Sequence, residues 1–144
     1  MDGVDHLKDV VGIGNPVVDI LAASDDDFLS KSRLVKGGMR MVDAQWAATI
    51  YQSMYQPLEM SGGSVGNTMA GLAHLGGTGS YVGKVCNDRL GRIFQSDMES
   101  LGVTFVTKPD PSSSPTASCL IIVTPDGERS MATYLGACFE LTVR

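Results

Sequence analysis

Apolar positions along this chain switch between a period of two and a period near four, and each switch marks a change of element. Asp9 to Ile13 (DVVGI) reads as a short buried strand, which Gly14-Asn15-Pro16 then breaks. Val17 to Ala23 resumes as an extended apolar run interrupted by a single charge, Asp19. A helix is predicted from Asp43 as N-cap, with Trp46, Ile50 and Met54 recurring every fourth residue on its buried face. A second helix is predicted from Ser64, carrying Val65, Met69, Leu72 and Leu75, and is the expected partner of the first. Between Ala44 and Gly83 the only charged side chain is Glu59, and Gly66, Ala70, Gly71 and Ala73 permit close backbone approach. That second helix is therefore expected to lie buried.

The pattern continues with a strand over Ser80 to Val85 and a helix opening at Asp88, whose apolar stripe is Leu90, Ile93, Phe94, Met98 and Leu101. Gly102 is placed to cap it, and Val103 to Val106 is a further strand. The order β-α-β-α-β predicts a parallel sheet with crossover helices. After a Pro/Ser-rich loop from Pro109 to Pro115, two extended runs, Ala117 to Thr124 and Arg129 to Leu135, flank Pro125-Asp126-Gly127-Glu128. Proline presets one turn dihedral there and glycine accepts a positive φ, which predicts a β-hairpin standing outside the parallel sheet.

Composition narrows the class. With 43% hydrophobic and 19% charged residues, 144 residues suit a globular chain able to bury a core. Eleven basic against 16 acidic residues give a net charge of −5, and no Lys/Arg cluster interrupts that balance, which argues against nucleic acid as a partner. No apolar run approaches the roughly 20 residues of a membrane span. The opening MDGVDHLKDV lacks a signal-peptide apolar segment, so a cytoplasmic location is expected. Cys86, Cys119 and Cys138 stand far apart and cannot all pair, which favours free thiols, and neither they nor the isolated His6 and His74 suggest a metal site.

Two phosphate-binding signatures fail on their chemistry. Gly12-Ile13-Gly14 follows a strand as a dinucleotide fingerprint would, but Val17 occupies the third glycine position and Pro16 the expected helix start. Gly83-Lys84 lacks both the upstream glycine, which is Thr78, and the following hydroxyl residue, which is Val85. A better signal is Ser61-Gly62-Gly63-Ser64-Val65-Gly66-Asn67 before an apolar helix. Paired glycines let a ligand approach the backbone, Ser64 can cap the helix, and Asn67 in the first turn would point back over the glycines with an amide suited to a hydroxyl. Taken alone, Gly-Gly before a helix is more often just a tight turn. Asp19 is the second signal: a charge in an apolar strand needs partners, and two adjacent ligand hydroxyls suit its two oxygens. A carboxylate facing solvent from a half-exposed strand fits that segment as well.

In this order GNPVVD, SGGSVGNTMAGLAHLGG, YVGKVCNDRLG and TPDGERSMATYLGA resemble the PfkB/ribokinase family of sugar and nucleoside kinases over essentially the whole chain. With KGGMRMVD and PTASCLIIVTPDGERSMATYLGAC, the pattern is closest to its adenosine kinase-like branch. Cys86 departs from the family's usual glycine. The resemblance implies an α/β fold: a ribokinase-like three-layer core with a parallel sheet, incomplete in this chain, plus a small β-sheet lid. Core elements are expected within residues 9–14 and 43–107, and lid strands at 17–23, 38–42 and 117–135.

It also implies site roles. Asp19 would take the vicinal hydroxyls of a ribose or sugar with Asn15 beside it, and Gly62, Gly63, Ser64 and Asn67 would border the same ring. Met39 and Met41, and Met131 and Thr133 with Arg129, would each share a strand face toward the pocket, and Cys119 would line it; plain lid packing explains the methionines equally well. Arg129 would be an auxiliary phosphate contact, or else a solvated hairpin charge. Family members use ATP with Mg²⁺, and a Gly-Ala-Gly-Asp segment supplies their base and anion hole. No such segment occurs in these residues, and family members run to roughly twice this length, above the commonest domain size. The expectation is therefore the substrate-binding and lid portion of a kinase phosphorylating a hydroxymethyl group, adenosine favoured, inactive by itself. A non-catalytic nucleoside- or sugar-binding protein is the alternative. So is an interaction module, since lid strands and an open sheet edge can pair two copies.

Overall fold

The computed structural model describes residues 7–143; His6 lies outside them. In chain order the elements are β1 (Val10–Ile13), β2 (Val18–Ala23), α1 (Asp26–Lys31), β3 (Met39–Met41), α2 (Ala44–Ser53), β4 (Leu58–Ser61), α3 (Ser64–His74), β5 (Gly79–Val82), α4 (Arg89–Ser100), β6 (Thr104–Phe105), β7 (Ser118–Val123) and β8 (Arg129–Tyr134). A short 3₁₀ turn covers Gly136–Glu140. Two open sheets result. One is a parallel sheet in the order β1-β5-β6, and the other is a mixed sheet in the order β3-β8-β7-β2-β4.

The parallel sheet carries the expected crossover helices on one side. Tyr81, Phe94 and Phe105 meet there with ring centroids 5.1 to 5.9 Å apart, and Met69, Val85, Met98 and Val103 close the cluster. Gly12 and Gly14 earn their places by packing: a Cβ on either would strike Val65, and on Gly12 also Met69. The glycines that mimic a dinucleotide fingerprint are therefore the seat of α3. Gly83 likewise gives room to the Gly14 carbonyl and Pro16, and Lys84 pairs with Asp110 at 3.0 Å.

Helix ends follow local chemistry. Asp43 and Asp88 cap α2 and α4 by accepting from Trp46 N and Gly91 N. Gly102, at φ 81°, closes α4 with Val103 N donating to Met98 O. The Asp88 carboxylate also accepts from Thr116 N and Thr116 Oγ1, tying α4 to the approach of β7. At the unusual Cys86, the backbone amide donates to Thr116 Oγ1 at 3.0 Å, and its carbonyl sits where a Cβ on Gly91 would have to go.

Two expectations are corrected. Helix α2 packs on β7 and β8, through Ala47 and Ile50 against Leu120, Ile122 and Ala132, rather than pairing with α3. Helix α3 is half open: only Gly66 and Met69 are buried, nothing lies within contact of a Cβ at Gly71, and Leu75 is 90% exposed. Val65, Leu72 and Ala73 pack against the core but are only partly buried. The structure also adds α1, capped by Asp25, and the strand β4, neither apparent in the sequence.

Three thiols are free, as expected. No helix among the described residues is long and apolar enough to cross a membrane.

Candidate functional site

Strand periodicity and register build the site. In the five-stranded sheet Asp19 lies beside Met60 on β4 and Cys119 on β7, Cys119 beside Thr133 on β8, and Thr133 beside Met41 on β3. Neighbouring residues in register point to the same face, so Met60, Asp19, Cys119, Thr133 and Met41 make one row across all five strands. Two residues along, Leu58, Leu21, Ile121, Met131 and Met39 make a second, wholly apolar row on the same face. The opposite face is closed by α1 and α2, with Arg40 set over the Trp46 ring at 4.4 Å. The first face is open: Met39, Met41, Leu58 and Met60 are between 40% and 59% exposed.

Asp19 is half-buried and sits over Gly62, where any Cβ would collide with its carboxylate. Burial alone raises its pKa, because no donor among the described residues reaches the carboxylate. Beside it, Thr133 Oγ1 donates to Cys119 Sγ at 3.5 Å, and burial pushes the Cys119 thiol up. Cys119 itself packs with Val17, Ala117 and Cys138.

The Gly-Gly loop closes one end of this face. Gly63 has φ 78° and is the N-cap of α3, without a side-chain bond, so Ser64 is the first helical residue and not the cap expected of it. Gly63 also abuts the carbonyl of Asn15, and Gly14, Asn15, Val17, Gly63, Ser64 and Val65 line a cleft of about 360 Å³. Asn67 is exposed in the first turn of α3, its amide donating to Gly63 O. Close to Gly14, the buried Tyr81 hydroxyl has no hydrogen-bond partner among the described residues.

The fold thus brings Asp19, Cys119, Thr133, Met39, Met41 and Met131 onto one face, with Gly62 against Asp19 and with Asn15, Gly63 and Ser64 together at the cleft. Arg129 shares the face but stands at the hairpin end, four residues from Thr133 and so about 13 Å along the strand. Met60, Leu58, Leu21 and Ile121 belong to the same face and were missed in the sequence. The alternation in Leu58-Glu59-Met60-Ser61 directly before Gly62 points to the first two, but over four residues it does not separate a strand from a loop. A smaller cavity, about 210 Å³, lies on the other face among Ile20, Ala47, Leu120 and Tyr134. It holds no carboxylate.

Residues 56–144 match the family model described as pfkB family carbohydrate kinase. The chain belongs to that family. The crystal structure of adenosine kinase from Sinorhizobium meliloti superposes with a TM-score of 0.83 at 52% identity, covering 93% of this chain and 41% of that one. Adenosine kinase 2 of Arabidopsis thaliana is 28% identical over 92% of this chain, and guanosine-inosine kinase of Escherichia coli is 28% identical over the same share. The chain spans 40% of the length of the first of these relatives and 32% of the second. The α/β ribokinase-like fold expected from the sequence is the fold of these neighbours.

Proposed function

We propose that this chain forms the acceptor-binding portion of an ATP-dependent kinase whose acceptor is a purine nucleoside, adenosine in the first instance. The observation that carries this reading is the Asp19 carboxylate, half-buried over Gly62 and unpartnered among the described residues. Such a group is costly in place unless a ligand donates to it, and a pair of ring hydroxyls supplies two donors to two oxygens.

The second row favours a nucleoside over a free sugar. A hydroxylated ring alone needs only the polar row and the Gly-Gly loop, whereas the apolar row of Leu58, Leu21, Ile121, Met131 and Met39 offers a floor for a flat, apolar base about 7 Å away along the strands. The names of the relatives, adenosine kinase and guanosine-inosine kinase, support the same class. In this arrangement Asp19 orients the ring, the glycines let it approach the backbone, and the methionine rows exclude water above it. ATP with Mg²⁺ is the donor that family membership implies. The site face offers one carboxylate and one distant arginine, a set that does not suit a metal-bound triphosphate, so no step of phosphoryl transfer is assigned to it.

Calorimetric titration of the chain with adenosine tests the reading. Asp19→Ala should weaken binding by about 1–3 kcal/mol, the cost of removing a charged hydrogen-bond acceptor. An unchanged affinity removes Asp19 from the site.

A further inference from the structure

We propose that Asp97, on α4 and outside the ligand face, is the positioning residue of the acceptor site: it holds the Gly62–Gly63 loop at the height that Asp19 requires. The proposal rests on the acceptor-site reading above. Strand β4 is an edge of its sheet, so every second backbone group faces away from β2 and needs a partner elsewhere. The last such group before the glycines is the amide of Ser61. It donates to Asp97 Oδ2 at 2.7 Å, while the next amide, Gly62 N, turns inward and donates to Val17 O at 2.8 Å. The loop is pinned from both sides at consecutive residues, directly beneath the Asp19 carboxylate.

Helix α4 is built for this clamp. Arg89, Ile93 and Asp97 recur every fourth residue and so share one face, which lies along β4. At the other end of that face Arg89 pairs with the Glu59 carboxylate, which also accepts from Tyr51 Oη at 2.9 Å. Asp97 itself opposes helix stability. It stands near the C-terminus of α4, where the macrodipole disfavours an anion and where no basic residue compensates it. The bond to Ser61 N is what its position provides.

The test uses the chain with adenosine as probe, read by calorimetry and by amide hydrogen exchange. Asp97→Ala should lower affinity about tenfold and speed exchange of the Ser61 amide by at least about tenfold. Asp97→Asn keeps an acceptor oxygen in the same place and should restore both to within about threefold of the parent, a rescue that a general loss of stability would not show. If Asp97→Ala does not fold, Asp97→Ser, too short to reach Ser61 N, takes its place. Affinity within about twofold of the parent in the short variant, or Asn no better than Ala, overturns the proposal. A parent chain that does not bind adenosine overturns the acceptor-site reading and, with it, the effect on affinity. The clamp itself is then overturned separately by equal protection of Ser61 in parent and variant.

Discussion

Leu120 and Ile121 are neighbours on β7 and point to opposite sides of one sheet. Leu120 is 1% exposed against Ala47 and Ile50 of α2, whereas Ile121 lies in the open row between Leu21 and Met131. Most of the sheet repeats this division, with Cys119 on the open face the exception, buried among Val17, Ala117 and Cys138. One face is closed by helices and carries stability, and the other is left open with its one carboxylate unpartnered among the described residues. Burial by the chain itself marks the structural face, and the apolar surface left open beside a costly charge is the face that the proposed function assigns to a ligand.

The largest expected effect breaks or upholds that division directly. Leu120→Ala should cost about 2–5 kcal/mol in denaturant melts, because the cavity left between α2 and the sheet cannot collapse fully. Ile121→Ala should cost less than half as much, and equal losses would mean that the two faces do not differ.

Next comes Gly62→Ala, whose Cβ must displace the Asp19 carboxylate. It should reduce adenosine affinity about tenfold or more while leaving the far-UV circular dichroism unchanged.

The third concerns the charge. Burial raises the pKa of Asp19, so the folded state holds its proton more tightly than the unfolded one. This group's contribution to stability is therefore most favourable below the ordinary carboxylate value, and it declines as pH rises from there through the higher folded value. Ligand affinity should run the other way, falling as acid protonates the acceptor oxygens. In Asp19→Asn both pH dependences should flatten, and the variant should be at least as stable as the parent at neutral pH; thermal melts and calorimetry across the carboxylate range check this.

A smaller effect is expected at Met41, 50% exposed on the open face. Met41→Ala should change stability by no more than about 0.5 kcal/mol yet weaken adenosine binding about two- to fivefold, the reverse of the pattern at Leu120. The smallest belongs to Lys36, which bridges Asp26 and Asp126 at 2.9 and 2.7 Å on the surface. Lys36→Ala should leave both the melting curve at moderate salt and the binding isotherm unchanged within error.

Much of this arrangement was legible in the residues. The strands around Asp19 and the hairpin, the caps at Asp43 and Asp88, and the glycine closing α4 all follow from local periodicity and capping chemistry, which act over a few residues. Which residues share the candidate face was legible through Asp19, the Gly-Gly loop beside it and the alternation of Met39, Met41, Met131 and Thr133. Strand β4 was not, because four residues after Pro57 carry too little pattern to separate a strand from a loop. Met60 was lost with it. The pairing of α2 was misjudged because an apolar stripe states that a helix is buried and not against what.

By itself, then, the sequence determined the local elements, the type of chemistry available at Asp19, and which residues on each strand share a face, since all of these depend on spacing along the chain. Only the tertiary structure decided which strands lie side by side, that one row runs from Met60 to Met41, and that Asp97 reaches the amide of Ser61, 36 residues away. Register and cross-chain hydrogen bonds join residues that no local period links, and they are set when the two sheets and α4 pack together.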